Sequence, residues 1–148
     1  MNIAVFGATG GTGKAFVQQA LTKGHEINAL VRTPGKIEEI QSPHLHLIEG
    51  DVLNSEAVAN TIRDAEVVVV SLGTTSNNPD NVVSEGTRLI IEQMQHQHIG
   101  RLLVVTSIGV GDSKDQVPFF FKMLMKTVLK KVMADKNIQE QYVRESGL

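Results

Sequence analysis

A glycine-rich turn near the amino terminus constrains the fold of this chain more than any other feature. The segment Ile3–Phe6 before the turn has the composition of a buried β-strand. After the turn, apolar residues recur at helical spacing at Phe16, Val17, Ala20 and Leu21. The turn carries glycines at positions 7, 10 and 13, in the pattern G-x-x-G-x-x-G. A strand, this pattern and a helix, in that order, predict the first βα unit of a dinucleotide-binding fold.

Each of the three spaced glycines has a physical task in such a unit. Gly7 permits the tight exit from the strand, and Gly13 lets the helix pack closely against it. Gly10 lets the backbone approach a pyrophosphate with no Cβ in the way. Free N–H groups at the start of the helix then point at the phosphates. Further N–H or hydroxyl donors are predicted at Thr9, Gly11 and Thr12.

The same turn does not fit a P-loop, the other common glycine-rich phosphate site. A P-loop that ends in Gly13-Lys14 needs glycine at position 8 and serine or threonine at position 15. Both positions are alanine. Lys14 is therefore predicted to be a surface charge or a charge at the edge of the phosphates. The alternative to a dinucleotide site is a glycine-rich turn without a ligand.

Short β-rich segments alternate with segments of helical period along the whole chain. Strands are predicted at Glu26–Val31, Leu45–Ile48, Val67–Leu72 and Leu102–Thr106. Helices are predicted at Lys36–Ile40, after a cap at Asn54 or Ser55, from Val83 to about His98, and at Asp135–Glu145. This alternation predicts one α/β domain over residues 1–148, with a doubly wound, Rossmann-type parallel sheet in a three-layer α/β/α arrangement.

The end of the second strand indicates which dinucleotide the domain prefers. NAD-specific sites place Asp or Glu there to bind the ribose 2′-hydroxyl. This chain has Arg32, which is suited to a 2′-phosphate, with Thr33 and Lys36 as helpers. The prediction is therefore a preference for NADP(H) over NAD(H). Alternatively, Arg32 stacks on the adenine or lies in solvent.

Residues that follow two other strands are predicted to complete the cofactor cleft. Asp51 suits the adenine amine and Val52 suits the face of the ring, although Asp51 also fits a loop acid or a helix cap. Leu72, Gly73 and Thr74 end the fourth strand, where strand ends line the cleft. Gly73 would let the backbone pass close to the nicotinamide ribose, or it simply ends the strand.

Several short motifs together resemble a known family. They are, in chain order, the Gly7–Gly13 turn, Leu30-Val31-Arg32, Gly50-Asp51-Val52, Leu72-Gly73-Thr74, Ser84-Glu85-Gly86, Thr106-Ser107 and Arg144-Glu145-Ser146-Gly147-Leu148. In this order they resemble the atypical short-chain dehydrogenase/reductases, in the branch of biliverdin reductase B, flavin reductase and NmrA-like proteins. The resemblance implies an NADPH-dependent reductase of flavins, quinones or tetrapyrrole-like acceptors. It equally implies an NADP(H)-binding redox-sensing regulator without turnover.

The chain departs from the wider superfamily at its catalytic pair. The usual enzymes carry Tyr-x-x-x-Lys, but Tyr142 is followed four residues later by Ser146. This favours an acceptor that takes a hydride and then a proton from water. Ser107 stands where the superfamily has its active-site serine, with a turn-capping serine as the alternative. Lys136 is near the usual basic position and could bond the nicotinamide ribose, with a solvated helix lysine as the alternative.

The last residues of the chain indicate that it is the front part of a longer protein. Gly147 follows a helix, and glycine at that place usually introduces the next element. A six-stranded dinucleotide fold has its sixth strand there. The sequence therefore predicts that the sixth strand and part of the substrate side lie beyond Leu148.

The segment Phe119–Met133 has one apolar and one basic helical face. Phe121, Leu124, Met125, Val128, Leu129 and Val132 share the apolar face, and Lys122, Lys126 and Lys130 share the other. Three interpretations stay open: a lid over a planar substrate, a surface for a membrane, protein partner or dimer, and a helix packed on the rest of a longer protein.

Composition and the remaining polar pairs exclude several classes of function. The net charge of −2 offers no basic field for nucleic acid. The chain has no cysteine and no apolar run that spans a bilayer, and its start shows no signal peptide, which fits the cytoplasm. The pairs His44/His46 and His96/His98 are too few to define a metal site, so no metal is expected.

Overall fold

The computed structural model describes residues 1–74, 80–107, 110, 113, 118, 123 and 129–148. Its strands are β1 (Asn2–Phe6), β2 (Glu26–Val31), β3 (Leu45–Glu49), β4 (Val67–Val70) and β5 (Leu102–Val104). Its α-helices are α1 (Gly11–Thr22), α2 (Ser55–Ile62), α3 (Val82–His96) and α4 (Lys130–Glu145). A short 3-10 helix spans Pro34–Ile37.

The strands of the described segments form one parallel sheet in the order β3-β2-β1-β4-β5. β1 lies in the centre, with Phe6 aligned to Leu30 on one side and to Val70 on the other. All residues of β4 are buried, as expected for four consecutive valines covered on both faces. β2 and β3 are added on one side of β1, whereas β4 and β5 are added on the other. This change of side leaves a crevice at the carboxyl ends of β1 and β4.

Helices cover both faces of the sheet and give the three-layer arrangement that the sequence predicts. On one face, α1 and Ile37 pack on side chains such as Val5, Ala29 and Val69. On the other face, α2 and α3 pack on Phe6, Val68 and their neighbours. The last helix, α4, packs against α3. The predicted Rossmann-type α/β fold is therefore confirmed.

The fourth and fifth strands are shorter than the sequence predicts. β4 ends at Val70 rather than Leu72, and β5 ends at Val104 rather than Thr106. β1 ends at Phe6, so Val70 is the last β4 residue paired with it, and Val70 is also the last β4 residue paired with β5. Single hydrogen bonds continue past the strand ends, from Ser71 N to Phe6 O and from Val105 N to Val70 O.

Two helix boundaries also differ from the predictions. The predicted helix at Lys36–Ile40 is a 3-10 helix that begins at Pro34, where proline is favoured in the first turn, and ends at Ile37. The last helix begins at Lys130, five residues before the predicted Asp135. In contrast, the cap predicted before α2 is correct, since Asn54 Oδ1 accepts from the Ala57 N–H.

Most of the predicted apolar face in Phe119–Met133 lies outside the described residues, which include only Met123 and positions 129–133 of it. Among the helices in the described part of the chain, none combines the length and apolar character that crossing a bilayer requires.

Candidate functional site

A cleft lies at the carboxyl edge of the sheet, above β1, β2, β3 and β4. It contains a cavity of about 190 Å³. Nine of the predicted cofactor-binding residues line it: Gly7, Thr9, Gly10, Arg32, Asp51, Val52, Leu72, Gly73 and Thr74. The topology thus brings residues from four separate strand ends to one place, as dinucleotide folds require.

No residue with a side chain fits in place of Gly7 at the end of β1. Its φ is +90°, and a Cβ there would stand 2.5 Å from the Ser71 carbonyl oxygen. Ser71 also fastens this turn, because its hydroxyl lies 3.3 Å from the carbonyl oxygens of both Phe6 and Gly7. The turn is therefore held against the end of β4.

The other two spaced glycines differ in what surrounds them. A Cβ on Gly13 would stand 2.1 Å from the Gly7 carbonyl oxygen, so this glycine is needed for close packing of α1 on the turn. A Cβ on Gly10 would meet only that same oxygen, at 3.5 Å, which is an ordinary contact. Gly10 therefore faces open space within the cleft, which leaves room for a ligand's phosphate to approach the backbone closely.

The amino terminus of α1 opens towards this space. Gly10 is the N-cap in extended backbone, and in this described segment no side chain caps the helix and no acidic residue occupies its first turn. Gly11, Thr12 and Gly13 are the first three helical residues, whose N–H groups have no partner within a helix. They lie outside the cavity lining, but their backbone suits an anion placed beside Gly10.

The residues predicted for a 2′-phosphate gather just past β2. Arg32 follows the strand and lines the cavity. Thr33 is the N-cap residue of the 3-10 helix, and its carbonyl oxygen accepts from the Lys36 N–H at 3.1 Å. Both side chains are exposed, and neither is part of the described cavity lining. Of the three predicted residues, Arg32 alone is in the lining that the described residues form, and a role of Thr33 and Lys36 at a 2′-phosphate stays a prediction.

Asp51 is both a residue of the cavity lining and a hydrogen-bond acceptor within its own loop. It lines the cavity, and its Oδ1 accepts from the Leu53 N–H at 2.8 Å while its carbonyl oxygen accepts from the Asn54 N–H. The loop-acid interpretation is thus correct for one carboxylate oxygen. Val52 is only 8% exposed. It packs against Gly86 of α3, where a Cβ would stand 2.8 Å from both Val52 methyl groups.

The β4 side of the cleft is held from a distance by α4. Lys136 is 6% exposed, and its Nζ donates to the Leu72 carbonyl at 2.9 Å and to the Val105 carbonyl at 3.3 Å. Burial lowers the pKa of this ammonium group, and the nearby Asp135 carboxylate partly opposes the shift. Lys136 is therefore not the solvated lysine of the alternative interpretation.

Neither predicted catalytic residue is part of the cavity lining formed by the described residues. Ser107 lies three residues past the end of β5 and is half-buried. Lys136 reaches the cleft through the Leu72 carbonyl. Any contact of these two side chains with a cofactor or substrate stays a prediction.

Sequence reasoning missed several residues that shape the site. Ser71 fastens the glycine turn, and Asp135 and Gln139 are buried beside α3. The sequence marks Gly50 only as part of a motif, whereas in the structure a Cβ at this position would stand 2.7 Å from Ala57 Cβ. A single serine after four valines was the one available signal for Ser71. The two α4 residues gave none, because a charged helix is usually exposed.

The two histidines at the other edge of the sheet have a local partner. His44 Nδ1 lies 2.5 Å from Glu26 Oε1, and His46 Nε2 lies 3.2 Å from Glu26 Oε2. Hydrogen bonding to His44 lowers the pKa of Glu26. Among the described residues no group of three or more His, Asp or Glu side chains could hold a metal ion.

The chain belongs to the NAD(P)H-binding family, whose model matches residues 7–148. Known structures with the same fold include ChuY, an anaerobillin reductase from Escherichia coli O157:H7. It is 22% identical with a TM-score of 0.81, covering 100% of this chain and 69% of that one. A short-chain dehydrogenase/reductase from Veillonella parvula in complex with NADP gives 20% identity and a TM-score of 0.82, covering 99% and 65%. The family model thus confirms an NAD(P)H-binding domain, and the predicted resemblance to short-chain dehydrogenase/reductases is confirmed at the level of the fold.

A similar curated protein is the photosystem II assembly factor Ycf39 of Cyanophora paradoxa. It is 24% identical over 151 residues, which cover 100% of this chain and 43% of the relative. The chain spans about half the length of the curated relatives that it matches. The family therefore fixes an NAD(P)H-binding, oxidoreductase-like domain.

Proposed function

We propose that this domain binds NADP(H) in preference to NAD(H) and passes hydride to a planar flavin-, quinone- or tetrapyrrole-like acceptor. The observation that carries the proposal is the place of Arg32, which lines the same cavity as the glycine turn. Asp51 is the one carboxylate in the lining that the described residues form, and it follows β3 rather than β2. Arg32 thus supplies a guanidinium group beside β2, which suits a 2′-phosphate.

In this proposal, residues in and beside the cleft hold the dinucleotide along its length. The Gly7–Gly13 turn and the start of α1 would hold the pyrophosphate, since Gly10 leaves room for close approach. Arg32, Thr33 and Lys36 would hold the 2′-phosphate. Asp51 and Val52 would hold the adenine, and the Leu72–Thr74 segment would lie against the nicotinamide ribose. The bound cofactor supplies the hydride, and the chain supplies orientation.

The missing Tyr-Lys pair supports an acceptor that needs no protein acid. Flavins and quinones accept a hydride and then take a proton from water. In this proposal Ser107 orients the reacting groups, and Lys136 fixes the strand ends beside them through the Leu72 and Val105 carbonyls. Positioning of this kind contributes several kcal/mol without a dedicated acid or base. A reductase role is further supported by ChuY, an anaerobillin reductase with the same fold.

The cofactor preference is tested by measuring the Kd of NADPH and NADH for the 148-residue chain and for Arg32→Gln. A charge-assisted bond to the 2′-phosphate corresponds to about a 10- to 100-fold preference for NADPH. We expect Arg32→Gln to lose most of that preference by weakening NADPH alone. Arg63→Gln is the matched control, because Arg63 is exposed on α2 and bonds only Asn60 among its described neighbours. Equal affinities of wild type for both cofactors would overturn the assignment.

Turnover is tested separately, by following NADPH oxidation with flavin, quinone and linear tetrapyrrole acceptors. A second candidate function is an NADP(H)-binding regulator or assembly factor without turnover. It is favoured by the relative named as a photosystem II assembly factor and by the missing Tyr-Lys pair. Tight NADPH binding with no oxidation by any acceptor would support this second candidate over the reductase.

A further inference from the structure

Helix α4 carries three polar side chains that are buried rather than exposed. Asp135 is 2% exposed, Lys136 is 6% exposed and Gln139 is fully buried. Charged groups are rarely buried unless hydrogen bonds compensate them, because removing them from water is costly. The function argued above gives a role to Lys136 only, so the other two need a separate explanation.

Asp135 caps a helix to which it does not belong. Its Oδ2 accepts from the Val83 N–H at 3.0 Å, and its Oδ1 accepts from the Ser84 N–H at 2.8 Å. These are the first N–H groups of α3, which have no partner within their own helix. The residue that would normally cap them, Asn81, has φ of 66° and makes no side-chain cap. A carboxylate at this place is also favoured by the helix dipole.

The neighbouring residue on α4 points at a different target. Lys136 bonds the carbonyl groups of Leu72 and Val105, at the ends of β4 and β5. Consecutive helical side chains diverge by about 100° around the helix axis. Asp135 and Lys136 therefore fix α4 in two directions, one against α3 and the other against the sheet edge. When both contacts are made, α4 can adopt only one rotational orientation about its own axis.

We propose that Asp135 is a positioning residue for the nicotinamide half of the cleft, acting through Lys136 and the Leu72 carbonyl. The inference rests on the proposed NADP(H) site. In that site the adenosine half lies beside β2 and β3, and the other half extends beyond the glycine turn towards β4. Among the described residues, the direct hydrogen bond from α4 to the cleft lining falls on Leu72, which belongs to this second half. Asp135 itself is not part of the cleft lining.

The two halves are separated experimentally by comparing NADPH with 2′,5′-ADP, which contains only the adenosine half and its 2′-phosphate. In Asp135→Asn, one N–H of α3 faces an amide NH₂ instead of an acceptor, so the cap is half lost. We expect the Kd of NADPH to rise about ten-fold and the Kd of 2′,5′-ADP to change by less than about two-fold. Both are measured by calorimetry well below the Tm of each variant.

Two variants control for a loss of helix packing in general. Gln139→Leu removes the bond from Gln139 Nε2 to Thr87 Oγ1 between α4 and α3, while keeping a buried side chain of similar size. Asp80→Asn removes the exposed ion pair with Lys131, which also links α4 to the start of α3. Both should keep the NADPH affinity within about two-fold. A matching loss in Gln139→Leu would overturn the proposal, since loose packing would then suffice.

A second variant keeps the proposal testable if Asp135→Asn does not fold. Lys136→Met leaves the cap of α3 intact and must show the same selective loss of NADPH over 2′,5′-ADP. Unchanged NADPH affinity in Lys136→Met refutes the inference, as does an equal loss of both ligands. These outcomes are distinct from failure of the proposed function, in which the wild-type chain binds neither NADPH nor 2′,5′-ADP.

Discussion

The two halves of the cleft are built in different ways. On the β2 and β3 side, the lining consists of residues that directly follow their strands, such as Arg32 and Asp51, and the shape depends on glycines that touch backbone. On the β4 side, the strand end at Leu72 is held by Lys136, which is 64 residues away in the chain. One half is thus specified locally, and the other by a distant helix.

This difference predicts different responses to change. The β2 and β3 side is sensitive mainly to changes in its own turns and in the packing of Val52 against Gly86 of α3. A half held from a distance is sensitive to every contact that sets the position of the distant helix, including the buried cap by Asp135 on α3. The following substitutions break or sharpen this contrast, beginning with the largest expected effect.

Gly13→Ala should disrupt the locally built half most severely. Its Cβ would stand 2.1 Å from the Gly7 carbonyl oxygen, and the atoms it meets are backbone that cannot rotate away. We expect the free energy of unfolding to fall by about 3 kcal/mol, measured by urea denaturation, with loss of NADPH binding. The control is Gly10→Ala, whose Cβ makes only a 3.5 Å contact. That variant should fold normally but lose NADPH affinity; equal stability losses in the two would contradict the separate tasks of these glycines.

Gly86→Ala tests a position where α3 supports the locally built half. The new methyl group would stand 2.8 Å from both Val52 methyl groups, so Val52 must shift within the cleft lining. We expect a loss of stability of about 1–2 kcal/mol and weaker binding of 2′,5′-ADP. Gly100→Ala is the control, since a Cβ there meets nothing within 4 Å. Unchanged 2′,5′-ADP affinity in Gly86→Ala would mean that Val52 does not contribute to the adenine pocket.

The contrast also explains how far the sequence predicts the molecule. The sheet, its helices and the β2 side follow from local patterns: the glycine spacing, apolar periodicity and the residue that follows each strand. Strand order is then fixed by the rules of parallel connections. Local patterns miss the end of β4, because Val70 is the last residue of β4 that pairs with β1, and β1 ends at Phe6 before the glycine turn. That turn lies over sixty residues earlier in the chain.

The support that α4 gives to the β4 side is not predictable from the sequence, for a further physical reason. Asp135, Lys136 and Gln139 are polar, and polar residues on a charged helix are usually solvated. Their burial depends on partners in α3 and at two strand ends, none of which is adjacent in sequence. Periodicity identifies apolar faces only. A buried polar face can be found only when the tertiary partners are known.

Asp51→Asn should have a smaller effect, confined to the adenosine half. Asparagine keeps an oxygen that can accept from the Leu53 N–H, so the turn after β3 should persist and the Tm should stay unchanged. The side chain loses its charge and with it the stronger acceptor for an adenine amine. We expect 2′,5′-ADP and NADPH to weaken equally, by about five-fold or about 1 kcal/mol. A loss of affinity confined to NADPH would mean that Asp51 acts on the nicotinamide half and not on the adenosine half.

The smallest effect concerns how stability depends on pH on the β4 side. Because burial lowers the pKa of Lys136 below its usual value of 10.5, there is a pH window in which the unfolded chain holds a proton that the folded chain has released. The unfolded state binds more protons there, so the contribution of Lys136 to the free energy of unfolding rises with pH. Below that window both states are protonated, and the full cost of burying the charge is present. Urea denaturation of wild type and Lys136→Met from about pH 8 to about pH 10.5 isolates this residue, because all other side chains are the same in both proteins. We expect wild type to gain stability relative to the variant as the pH rises; parallel curves would mean that the lysine is hydrated, and that the β4 wall is not held by a buried charge.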